Sequence, residues 1–192
     1  MHRSLPLSPV SRELFDYWSS KGAPERLPRR TEIDVIGEIP RLAGHIFLAE
    51  MLGPSLYRYR VVGSHIADLA GRDPTGRMVD EELLPETYRE HIAALDFVVA
   101  KRQPAVIRGK PKSISDGNAM IEAIGVPLLA DTGDEIGFVL GALSALSPSG
   151  PSIIKGGRRG TTVFQLFTVA PLGPDGTVAI VAPGAQPADD DT

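Results

Sequence analysis

The sequence predicts an α+β fold: a five-stranded antiparallel sheet with helices on one face, a helical N-terminal cap and a C-terminal β-hairpin extension. Three observations carry that prediction. Residues 56–85, LYRYRVVGSHIADLAGRDPTGRMVDEELLP, join a strand to helical turns through glycines at fixed offsets. Residues 86–102, ETYREHIAALDFVVAKR, repeat apolar residues at helical spacing. Beyond them, three apolar segments are separated by SDGN and DTGD, whose Asp-Gly and Thr-Gly pairs suit tight hairpins.

A chain of 192 residues with 42% hydrophobic content can fold alone as one domain with a real core plus extensions. The net charge of -4 lacks the basic footprint expected of a nucleic-acid binder. With no cysteine there is no disulfide, thiolate metal site or cysteine nucleophile, which fits a reducing cytoplasm. MHRSLPLSPVSRELF has no apolar run of signal-peptide length, and the longest apolar stretch, residues 138–146, is too short to span a membrane. The expectation is a soluble cytoplasmic protein: cap and linker over 1–30, a domain over 31–147, and a linker, hairpin and disordered acidic tail over 148–192.

In chain order, residues 11–22 open with Ser11 as a candidate N-cap, and Leu14, Tyr17 and Trp18 share one side of a helix. That side is expected to lie on the core. A proline-bearing linker follows, and its scattered arginines Arg29, Arg30 and Arg41 read as a solvated face beside Asp34 and Glu38. Residues 44–52 form a strand apolar on both faces except for Glu50, hence central. Gly53, Pro54 and Ser55 turn the chain into the strand 57–62, where Tyr57, Tyr59 and Val61 alternate with Arg58 and Arg60. Ser64 can cap the short helix 65–70, Gly71 suits its C-cap, and Asp73 to Gly76 make a turn. In the long helix 86–102, Tyr88, Ile92, Leu95 and Val99 share one stripe with His91 and Val98 on its shoulder. Strands follow at 105–110, 119–130 and 136–146. Arg58, Arg60, Arg108, Lys110, Glu50 and Glu122 are placed together on the outer face of the sheet, where opposite charges pair across strands. Residues 161–170 and 177–182 read as a hairpin that must pack on the sheet or on a second subunit.

Strand, Gly-Ser, a short helix ending in Gly-Arg, and Thr-Gly before Leu-Leu-Pro together resemble a PAS domain, of the stand-alone type common in alphaproteobacteria. The likeness extends back to RTEIDVIGEIPRLAGHIFLAEML and forward to AMIEAIGVPLLADTGDEIGFVLGALSAL, in which Glu122 opens a stretch similar to the family's Glu followed by Val/Leu-Pro-Leu. It implies a non-enzymatic sensory or protein-interaction module with a pocket between the sheet and the long helix. Phe47 would line that pocket from the first strand, Tyr59 and Val61 from the second, Ile66 and Leu69 from the short helix, and Ile92, Leu95 and Val99 from the long one. Ile107, Ile121 and Leu140 would complete it from the meander. The same residues would serve an empty, packed core. The implied partners are a small-molecule ligand, an unidentified signalling protein and a second copy of the chain, with Trp18 and the outer sheet face at the homodimer interface.

Two sharper alternatives stand beside this reading. Haem-binding PAS domains resemble this chain in carrying a histidine on the corresponding long helix, here His91, whereas a lone histidine on an apolar face is ordinarily a core or rim residue. Asp131-Thr132-Gly133 resembles the active-site triplet of retroviral-type aspartic proteases, in which paired subunits share a proton between two carboxylates. Its spacing here is that of a hairpin turn, and the helical middle of the chain does not suit an all-β protease. The histidines have no metal-ligand spacing.

Overall fold

The computed structural model describes residues 4–23, 25–70, 72–79, 88–111, 121–146, 164–171 and 178–179. Its α+β architecture is the expected one. Strands β2 (Ile46–Gly53), β3 (Leu56–Val62), β4 (Ala105–Pro111), β5 (Ile121–Leu129) and β6 (Ile136–Ala145) form an antiparallel sheet in the order β3-β2-β6-β5-β4. Helix α1 (Pro9–Ser20) packs on one face. The long helix α4 (Tyr88–Lys101) packs on the other. Short helices α2 (Val35–Glu38) and α3 (Ser64–Ala70) lie in the connections.

The C-terminal extension adds β7 (Phe164–Pro171) to the free edge of β4, making a sixth strand. Strand β8 (Val178–Ala179) pairs with β1 (Ser4–Leu5), so the two terminal segments meet. The extension thus meets the sheet at its edge, where unpaired backbone groups are available, rather than on a face. Among the described residues, no helix is long and apolar enough to cross a membrane.

Helix α1 starts three residues earlier than the sequence reading placed it. Pro9 takes the first helical position, which its fixed φ and missing N–H suit, and the Ser8 side chain accepts from the Ser11 N–H at 3.2 Å. Leu14, Phe15, Tyr17 and Trp18 are buried against Leu48, Ile124, Val126, Leu128 and Leu140. The Trp18 indole is 1% exposed and donates to the Pro127 carbonyl at 3.0 Å. Of the three covers available to the apolar outer face of β6, the N-terminal helix with Trp18 lies on it within the chain.

That interface has a polar anchor. Glu122 is 0% exposed, with one carboxylate oxygen accepting from the Ser8 N–H at 2.8 Å and the other from Arg108 Nε at 2.7 Å. Arg108 also donates to the Pro6 carbonyl, and Ser144 Oγ donates to Ser8 Oγ at 3.0 Å. Glu50 and Arg58 pair further along the same face at 2.7 Å. Arg29 is more than a solvated cation: it donates to the carbonyls of Ala130 and Gly133 and holds the β5–β6 turn.

Candidate functional site

A cavity of about 100 Å³ lies between α4 and the sheet. Its shape follows from small residues at set positions. Ala94, Ala105, Ala123 and Gly125 line it and leave the space that larger side chains would fill. A Cβ on Gly125 would lie 3.2 Å from Val139 and 3.4 Å from Val98, so glycine there leaves room between these two side chains. Phe47 leans across Gly141, where a Cβ would collide with its ring, and meets Tyr59 edge-on with centroids 6.1 Å apart.

Of the expected pocket residues, Phe47, Tyr59, Ile66, Leu95, Ile107 and Ile121 line the cavity together. Ile92 packs beside it with Tyr57 and Val139, and Val99 bridges the two cores. The side chain of Leu69, the Gly71 cap and the tail beyond residue 183 lie outside the described residues.

Two residues lie elsewhere. Val61 was expected to share a face with Tyr57 and Tyr59, but the β2–β3 register shifts so that Leu48 pairs with Val61 and Ala49 with Tyr59. The bulge at Arg60 flips the alternation, because side-chain direction has a period of two. Val62 faces the cavity and Val61 is 39% exposed. Leu140 belongs to the core under α1, while Val139 and Leu143 face the cavity.

The cavity-facing row of α4 is His91, Ala94, Leu95 and Val98: Leu95 comes from the expected stripe, His91 and Val98 from its shoulder, and Ala94 is new. The helix is turned by the attachment of Asp96 to the β2–β3 hairpin, accepting from Ser55 Oγ at 2.6 Å and Tyr57 Oη at 2.7 Å. Burial, then the Asp96 bond, raises the Tyr57 hydroxyl above its ordinary value. Ala94 alone was missed, because a small residue adds little to an apolar periodicity.

The segment after α3 closes one side. Thr75 N–H donates to Asp73 Oδ1 at 2.9 Å, Gly76 takes φ +81°, and the chain then runs along β3 through Tyr59 N–H to the Arg77 carbonyl at 2.9 Å and Val79 N–H to the Tyr57 carbonyl at 2.9 Å. Arg72 and Pro74 of this segment line the cavity. Gly63 makes the corner possible, since a Cβ there would lie 2.4 Å from the Gly44 carbonyl.

The polar groups at the cavity are Tyr59, Arg72 and His91. Burial pushes the Tyr59 hydroxyl up to about 12, so it stays protonated at any ordinary pH. No group of three or more metal-ligating side chains occurs among the described residues. Asp131 sits exposed in the β5–β6 turn, away from this cavity.

No curated protein matches the chain. The family model for the PAS domain matches residues 7–144, from the start of α1 to the end of β6. PAS domains are generally sensory or signalling modules and typically non-catalytic. That span contains α1, the five-stranded sheet and the α4 cavity, and the chain belongs to the PAS domain family.

Proposed function

We propose that this PAS domain is a non-enzymatic sensor that binds a small molecule between α4 and the sheet and passes the signal to a partner protein. The observation that carries the reading is the cavity itself. It measures about 100 Å³ and is lined mainly by apolar side chains, the character of a small-molecule site. Apolar cavities of comparable size, on the order of 150 Å³, take benzene-sized molecules. A haem macrocycle is several times larger, which counts against haem ligation through His91. Protease chemistry at Asp131 lacks support, because its turn is open to water and the shared proton of such a pair needs a partner carboxylate close by. The finer likeness to stand-alone alphaproteobacterial PAS proteins and a cytoplasmic setting fit the same reading.

Ala94→Leu tests it by filling the cavity from α4. Ligand-observed NMR with small apolar probes, and native mass spectrometry of freshly purified protein, should find an occupant or probe bound to the parent and lost from the variant. A parent that binds no probe and retains no ligand, or a variant that binds as well as the parent, would overturn the proposal.

A further inference from the structure

We infer that the cavity takes a small, mainly apolar molecule carrying an oxygen hydrogen-bond acceptor, and that the Tyr59 hydroxyl selects it. This inference rests on the proposal that the cavity is a binding site, and names the ligand class and the residue that reads it.

The tyrosines of the fold supply the comparison. Tyr17 donates to Glu38 Oε2 at 2.5 Å and Tyr57 to Asp96 Oδ1 at 2.7 Å; neither lines the cavity. Tyr59 does line it, and among the described residues its hydroxyl has no hydrogen-bond partner. Arg72 and His91, the other polar lining groups, are already engaged within the chain. The fold thus supplies partners for Tyr17 and Tyr57 outside the cavity and leaves Tyr59 open within it. A buried hydroxyl without a partner is destabilising, and an idle donor is tolerated less readily than an idle lone pair. A phenol hydroxyl is protonated at ordinary pH and here has no hydrogen-bond partner among the described residues, so what it lacks is an acceptor. A carbonyl or ether oxygen on a compact hydrocarbon frame supplies one, while the remaining lining, with Phe47, Leu95, Val98 and Val139, receives the frame. The volume suits a molecule of roughly benzene size, about six non-hydrogen atoms.

Cyclopentanone and methylenecyclopentane differ by C=O against C=CH2 on one frame. Dissociation constants for both are measured by amide NMR titration of the full chain and of Tyr59→Phe, which removes only the hydroxyl. The expected result is a loss of about 2- to 12-fold for cyclopentanone on Tyr59→Phe, the effect of one neutral hydrogen bond, with methylenecyclopentane unchanged or tighter. Retained methylenecyclopentane binding also shows that the variant keeps its cavity. If both probes bind the parent and change by the same factor, the role of Tyr59 is overturned while the binding site stands. If neither binds the parent, the binding-site proposal fails and this inference with it.

Discussion

Replacing Arg108 by methionine strands a buried charge, and the structure sets the size of the effect. The Glu122 carboxylate is fully buried between β4, β5 and the start of α1, with Arg108 and the Ser8 N–H as its partners. Removing one partner of a buried ion pair costs about 3–5 kcal/mol, because the remaining charge can neither ionise freely nor reach water. For a chain of this size each kcal/mol lowers Tm by about 2–4 °C, so Arg108→Met should lower it by about 6–20 °C. Adding Glu122→Leu removes the stranded charge. The double variant should recover most of the loss and stay about 1–3 kcal/mol below the parent, since the Ser8 N–H and Pro6 carbonyl lose their partners. Trp18 is the single tryptophan and is buried between α1 and the sheet, so its fluorescence during urea unfolding reports the same interface. A cost for Arg108→Met below about 1 kcal/mol, as for an exposed ion pair, or a double variant worse than the single one, would refute the reasoning.

Gly63→Ala should lose about 1–3 kcal/mol or more in urea unfolding, because its Cβ meets the backbone of Gly44, which cannot swing aside as a side chain can. Tyr59 has a folded pKa raised to about 12 against about 10 when unfolded, so between these values the folded chain holds a proton the unfolded chain has released. Its contribution is complete below pH 10 and is lost as pH rises towards 12; Tyr59→Phe should make the alkaline fall in stability shallower by up to one proton. Asp131→Asn, in an exposed turn, should change stability by less than about 0.5 kcal/mol and leave probe binding as it was; an altered peptidase activity would contradict the account.

The sheet was legible because its strands are apolar runs and the β5–β6 turn carries a Thr-Gly pair; even the charge pairs Glu50–Arg58 and Arg108–Glu122 follow from register. What escaped was any feature that depends on a one-residue shift. The bulge at Arg60 leaves no mark in an alternating run, yet it exchanges Val61 for Val62 at the cavity. Helix α4 carries two overlapping apolar rows, and the choice between them is made by Asp96 reaching Tyr57 and Ser55, a contact between segments far apart in the chain. Periodicity counts large residues, so Ala94, Ala123 and Gly125, whose smallness makes the space, went unread. The pairing of the C-terminal strand with β4 likewise depends on an open edge that exists only in the folded sheet.

The most direct test of the account is the pattern of amide shifts when the chain is titrated with cyclopentanone. Binding between α4 and the sheet should move the amides of Phe47, Leu95, Val98, Gly125 and Val139 together, and leave Leu14 and Trp18 on the opposite face in place. Shifts confined to the α1 face, or scattered over the surface, would contradict the assignment of the α4 cavity as the sensing site.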